Sequence, residues 1–300
     1  DRVQRCTRLR FDPPPKRLDV GLAEFEITLG PRERRAIFVT VLCDEGAPRP
    51  RPKFFPAYRA ARRELRAMRA AAARIESDNS LFDEVLARSL SDVSMLVTRT
   101  PDGPYPYAGV PWFSTVFGRD GIITAVLMLW LDPGLARGVL SHLAANQATR
   151  TDPEADSQPG KILHERRFGE MAMLGEVPFR HYYGTVDATP LFVMLAGMYY
   201  ERTGDRDTIE AIWPHIEAAL AWCDTYGDPD GDGFVEYFRQ TPNGLANQGW
   251  KDSQDSIFHA DGTLAAGPIA LCEVQGYVYA AKKGASHLAA MLGHAARARK

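Results

Sequence analysis

The chain has 300 residues, 45% hydrophobic and 10% aromatic, with a net charge of −2. That content supports a buried core and excludes a disordered chain, and no run of about 18 uncharged apolar residues occurs, which excludes a membrane-spanning helix. The balance is uneven, 18 Lys and Arg against 10 Asp and Glu in residues 1–76 and 18 against 28 afterwards, but the basic part lacks the interleaved aromatics of a nucleic-acid surface.

Up to Asp44 the residues favour strands. Leu22 to Leu29 partly alternates and Ala36 to Leu42 is a continuous β-branched and apolar run. Two strands do not make a stable sheet, so this reads as the end of a β-sandwich-like domain. A Pro/Arg-rich linker follows from Gly46 to Pro56. Leu65, Met68, Ala72 and Ile75 then keep a helical period on a basic segment, and Phe82, Val85, Leu86, Leu90, Val93 and Val97 do so from about 81 to 97. Further helices are predicted near 119–131, 134–149, 187–203, 207–226 and 269–292. The 207–226 helix has a one-sided stripe of Ile209, Ile212, Trp213, Ile216 and Leu220, whereas 187–203 is apolar nearly all round, as a helix covered on every side must be. The expected organisation is a β remnant and linker at 1–50, a basic linker helix at 51–78 and a helical region at 79–300.

The connections are unequal. Turns at Asp132-Pro133-Gly134 and Gly204-Asp205-Arg206 are short, while 98–118, 150–186 and 227–268 are long and rich in aromatic and charged residues. Long loops in compact domains are usually functional. All three precede the second, fourth and sixth helices counted from residue 81, so these helices are expected to share a layer with their N-termini at one end. That is the pattern of a mainly α (α/α)6 toroid-type barrel, of which six helices are half.

The first loop, Pro111-Trp112-Phe113 to Gly118-Arg119-Asp120-Gly121, offers aromatic faces for sugar rings and an Arg-Asp pair for vicinal hydroxyls. Equally, Asp120 fits a helix N-cap and Trp112 a core position. The second loop carries His164, Glu165, Tyr183 and Asp187, and Asp187 also fits helix initiation before Pro190. No HExxH zinc spacing is present. In the third loop, Asp228-Pro229-Asp230-Gly231-Asp232-Gly233 resembles the start of a calcium loop, but position twelve falls on Arg239 where a glutamate is needed, which favours a tight turn. Asn247-Gln248-Gly249-Trp250-Lys251-Asp252-Ser253 then places a carboxylate beside an indole. Glycoside hydrolysis needs two carboxyls, one of them a proton donor, and packing against an indole raises a carboxyl pKa. Glu273 lies in the first turn of the last helix, with Gln275 expected to point elsewhere.

Four blocks together, Phe117-Gly118-Arg119-Asp120-Gly121, Val186-Asp187-Ala188-Thr189-Pro190-Leu191-Phe192, Asn247 to Ser253 and Cys272-Glu273-Val274-Gln275-Gly276-Tyr277-Val278-Tyr279, resemble the catalytic region of bacterial amylo-α-1,6-glucosidases. The likeness spans about Tyr58 to Lys283. It implies a toroidal helical barrel that removes terminal glucose at α-1,6 branch points of α-glucans with inversion and no cofactor or metal. It makes Asp252 the general acid and Trp112, Arg119, Asp120, Asp187, Trp250, Lys251 and Glu273 cleft residues; Phe113, His164, Glu165, Tyr183 and Gln275, from the same loops and the last helix, are further candidate substrate contacts. The family's base is a glutamate of later helical pairs, so the 300 residues alone are expected to hydrolyse nothing. An exo-α-1,4-glucosidase, a trehalase-like hydrolase and a non-catalytic glucan-binding protein are the alternatives. Four scattered cysteines without a CxxC spacing, and no signal peptide, fit the cytoplasm. The opening Asp1-Arg2-Val3 suggests a missing N-terminal part of the polypeptide, and the half count of barrel helices a missing C-terminal part.

Overall fold

A computed structural model describes residues 6–44 and 54–294. The linker expected at Gly46 to Pro56 lies mostly outside the described residues. The chain is mainly α-helical and divides into two compact units, Asp1–Ala70 and Ala71–Lys300.

In the first unit, β1 (Cys6–Asp12), β2 (Arg17–Asp19), β3 (Leu22–Glu24) and β4 (Phe38–Asp44) form two separate antiparallel pairs. β1 pairs with β4, Cys6 opposite Asp44 and Asp12 opposite Phe38, and β2 pairs with β3. The strand expected through Leu29 stops at Glu24. The pairing partner of β4 is β1, in which Leu9 and Phe11 alternate with Arg8, Arg10 and Asp12. Leu42 is the one buried apolar residue among the described residues of this unit. The helix α1 (Phe54–Ala71) starts with a ring cluster in which Phe54 stacks on Phe38 at 4.5 Å and lies parallel to Tyr58 at 6.0 Å. It ends at Ala71, so Ile75, expected to continue its period, lies outside it.

The second unit opens with α2 (Ser80–Leu96). Asn79 caps it, its side-chain oxygen accepting from the N–H groups of Leu81 and Phe82, and Asp83 reaches back to the N–H of Ser77. The first long loop contains a hairpin of β5 (Val97–Thr100) and β6 (Gly103–Pro106), then the short β7 (Val116–Phe117). α3 (Gly118–Met128) and α4 (Pro133–Ala145) follow. The second loop holds β8 (Glu165–Arg166) and α5 (Glu170–Leu174), and α6 (Ala188–Thr203), α7 (Arg206–Asp224) and α8 (Cys272–Leu292) complete the unit.

α6 packs against α3 and α8, and α4 and α7 pack behind them. Two layers result, with α3, α6 and α8 in one. Ten of the sixteen residues of α6 are buried, as its all-round apolar sequence requires. Its closest neighbour is α8, where a Cβ on Gly197 would lie 3.2 Å from the Gly284 Cα, so small residues let the two backbones meet. The stripe of α7 buries Ile209, Ile212, Trp213 and Ile216, each such side chain stabilising by about 1.5–3 kcal/mol. No helix among the described residues is long and apolar enough to cross a membrane. All four cysteines are free, and only Cys223 is buried.

Candidate functional site

The three long loops meet at the N-terminal ends of α3, α6 and α8. β7 pairs with β8, and the Gly118 N–H donates to the His164 carbonyl at 2.8 Å, so the first turn of α3 lies against the second loop. A Cβ at position 118 would fall 1.9 Å from the Leu163 carbonyl, so only glycine fits there. The third loop joins through the Val186 N–H, which donates to the Gln248 carbonyl at 2.9 Å.

Arg119, in the first turn of α3, links all three. One guanidinium nitrogen donates to Asp187 Oδ2 at 3.1 Å and to the Gly249 carbonyl at 2.8 Å, and the other reaches Asp252 Oδ2 at 3.3 Å. The Arg119 and Asp187 side chains are 15% and 2% exposed, whereas Asp252 is 42% exposed and open to a ligand. Burial works against the Arg119 charge, but Asp187, Asp120 and Asp252 outweigh it and hold the cation. Burial pushes the Asp187 carboxyl up, with Arg119 and a 2.6 Å bond from the Thr185 hydroxyl pulling the other way.

Asp187 occupies the N-cap position of α6 but makes no side-chain cap bond, because Arg119 and Thr185 take its oxygens. The capping role expected for it is therefore corrected. So is that for Asp120, since α3 starts at Gly118 with Phe117 as its N-cap and Asp120 lies inside the first turn. Trp112 is not a core residue. Its indole is 78% exposed, and that of Trp250 is 57% exposed. Both are anchored at the cluster, Trp112 by its carbonyl, which accepts from Arg167, and Trp250 by following the Arg119-bound Gly249.

Glu165 is buried and receives the Arg167 guanidinium at 2.7 Å. Burial pushes its carboxyl up, Arg167 opposes this, and Asp120 and Asp252 reinforce it. Phe113 is exposed and lies edge-on to Phe117 at 5.8 Å. The Lys251 ammonium sits 5.5 Å over the Trp250 ring. Glu273 is half-buried in the first turn of α8. One turn on, burial and then Asp187 and Glu273 raise the Tyr277 hydroxyl pKa. Tyr277 is thus electrostatically coupled to the cluster, and its place in the Cys272 to Tyr279 block, four residues from Glu273, is the sequence signal that marks it. Thr185, Arg167 and the Gly249 carbonyl are likewise additions.

Two expected contacts lie elsewhere. The Tyr183 hydroxyl donates to the Asn146 carbonyl at 2.8 Å, and the residue lines a cavity of about 890 Å³ whose wall holds none of Arg119, Asp187 or Asp252. Gln275 does point away, clamping residue 235: its Oε1 accepts from the Val235 N–H at 2.9 Å and its Nε2 donates to the Val235 carbonyl at 2.7 Å. Asp228, Asp230 and Asp232 place carboxylate oxygens within 4.8 Å of one another, the only such group among the described residues. Asp228 accepts from the N–H groups of Gly231 and Gly233, and Asp232 from that of Phe234, as in a tight turn.

Compared with known protein families and with curated proteins, the chain matches none.

A buried scaffold holds the Asp252 loop. Asp156 accepts from the Tyr182 hydroxyl at 2.9 Å, the Gln248 amide at 3.2 Å and the Gln240 N–H at 2.8 Å. Asn247 donates to the Ser253 carbonyl at 2.6 Å and accepts from the Tyr237 hydroxyl at 3.0 Å.

His164 is buried between Phe117 and Tyr182, its Nδ1 without a partner. Burial first, then Arg119, Lys161 and Arg167, push its pKa down to about 3. A histidine whose folded pKa lies below its unfolded value contributes stability above the unfolded value and loses it as pH falls. The His164 contribution is thus complete above about pH 6.5 and is lost progressively toward about pH 3. The expected result is a His164 ring whose NMR shifts stay flat from about pH 7.5 to 4.5. A midpoint near 6.5 would show an open, solvated ring.

Proposed function

We propose that this chain carries the catalytic helical region of an α-glucan glucosidase similar to amylo-α-1,6-glucosidases, removing terminal glucose at α-1,6 branch points by inverting hydrolysis. The observation that carries the reading is the Arg119 bridge, which joins three of the four matching blocks: Arg119 in the first, Asp187 in the second, and Gly249 and Asp252 in the third. The two-layer packing of α3, α6 and α8 against α4 and α7 supports assigning these helices to part of an (α/α)6 barrel.

In this reading Trp112 and Trp250 stack on sugar rings, Arg119, Asp120 and Glu273 face the hydroxyls of the terminal glucose, and the buried Asp187 and Glu165 hold Arg119 and Arg167 in place. Asp252 gives its proton to the glycosidic oxygen as the bond to the anomeric carbon breaks. Water attacks that carbon from the opposite face and passes its proton to a carboxylate base. The resemblance assigns the base to a glutamate of later helical pairs, and Glu273 remains a substrate contact.

A non-catalytic glucan-binding role is the second reading, favoured by one observation: the Asp252 carboxylate is engaged by Arg119. The two are separated by incubating the protein, at its natural length, with a maltooligosaccharide bearing a single α-1,6-linked glucose. The expected result is release of free glucose, and weaker binding in Trp112→Ala with unchanged thermal stability. Saturable binding without release would favour the second reading, and neither binding nor release would sink both.

A further inference from the structure

We infer that an aromatic-walled cavity around Lys161 is a second pyranose-binding site, separate from the Arg119 cluster. The cavity measures about 320 Å³, and its wall includes Trp222, Tyr226 and Phe238 but none of Arg119, Asp187 or Asp252. Trp222 is held in place by its indole N–H, which donates to Gln158 Oε1 at 2.8 Å. Tyr226 and Phe238 are exposed. These two exposed faces match the C–H surface of a sugar ring, while Trp222, 2% exposed, backs the cavity from within.

The polar groups decide the ligand class. Lys161 is 5% exposed, and its ammonium lies 5.6 Å from the Trp222 ring centre. It has three N–H donors, and its hydrogen bond is to the Asp156 carbonyl at 3.1 Å. Burial, opposed by Asp156, lowers its pKa to about 8, so it keeps its charge near neutral pH. Glu236 and Gln240 line the same cavity. Their backbones are pinned, the Glu236 N–H to the Gly227 carbonyl at 2.7 Å and the Gln240 N–H to Asp156 at 2.8 Å.

An apolar ligand would leave the buried ammonium with unmet donors. A simple anion would face the Glu236 carboxylate. A ring bearing several hydroxyls, each both donor and acceptor, suits an ammonium, an amide and a carboxylate together. The inference concerns binding alone and does not depend on hydrolysis at the Asp252 loop.

The test is a maltose titration of the intact protein, followed by the indole N–H resonance of Trp222 and by calorimetry. The expected result is a saturable shift of that resonance. Tyr226→Ala and Gln240→Ala should each weaken it about five- to ten-fold with unchanged melting temperature, and Trp112→Ala should leave it in place. A Trp222 resonance that maltose does not move, or equal affinity in Tyr226→Ala, overturns the inference. So does benzoate displacing maltose at lower concentration, which would make the cavity an anion site. If Trp112→Ala abolishes the shift, the sugar acts from the cleft and the second site is also overturned.

Discussion

Asp252→Asn is expected to lower glucose release from an α-1,6-branched oligosaccharide by about 10²–10⁴-fold, the usual contribution of a positioned general acid. The amide keeps the shape of the side chain and still offers an oxygen to the Arg119 guanidinium, but has no proton to give the leaving oxygen. Because Asp252 is 42% exposed and its contact with Arg119 is 3.3 Å, the weakened pair should cost less than about 1 kcal/mol, and the melting temperature should barely move. α-Glucosyl fluoride, whose leaving group needs little protonation, should lose far less of its rate in the same variant. A variant that keeps most of its activity on the branched sugar, or loses both substrates equally, would remove Asp252 from the role of acid.

Arg119→Met is expected to be the most damaging single change to stability at the site, costing about 3–5 kcal/mol at neutral pH. The methionine fills a similar volume but leaves Asp187, only 2% exposed, without its ion pair. The Asp187 carboxyl is already raised by burial, and losing Arg119 raises it further. A carboxyl whose folded pKa lies above its unfolded value gives stability that is full at low pH and lost as pH rises through the folded value. The penalty in Arg119→Met should therefore grow from acid toward neutral pH. In a double-mutant cycle, Asp187→Asn added to Arg119→Met should recover part of the loss, because the uncompensated charge is gone. Urea titrations of the four proteins at two pH values read this directly. Additive losses would mean that the 3.1 Å contact contributes nothing of its own.

The helices were the legible part of the sequence because each is specified by local periodicity. The stripe of α7 and the all-round apolar run of α6 correspond to a flanking helix and a central one. The gathering of long loops before α3, α6 and α8 was also legible, since loop length and order survive in the sequence. Which residues would touch was not. Arg119 meets partners 68 and 133 positions away, and no local pattern encodes such a pairing. Asp187 shows why: cap chemistry and ion pairing ask for the same residue type, and only tertiary packing decided between them. Tyr183 makes the converse point: it shares a loop with Asp187 yet turns its hydroxyl to the Asn146 carbonyl, because nearness in sequence does not fix side-chain direction in a loop.

The convergence of three helix starts has a consequence for the charge at the loop end. Before Asp252 takes up the proton it donates, Asp120, Glu165, Asp187, Asp252 and Glu273 bring five formal negative charges and Arg119 and Arg167 two positive ones, a difference of −3, with Lys251 set aside over the Trp250 ring. Each helix start adds a fixed fractional charge of about +0.5 from its unbonded N–H groups. Together they offset about half of that excess through the backbone alone, without a further lysine or arginine that would occupy space or compete for hydroxyls. What remains is a modest negative potential, the sign that suits the oxocarbenium-like centre formed when a glucosidic bond breaks.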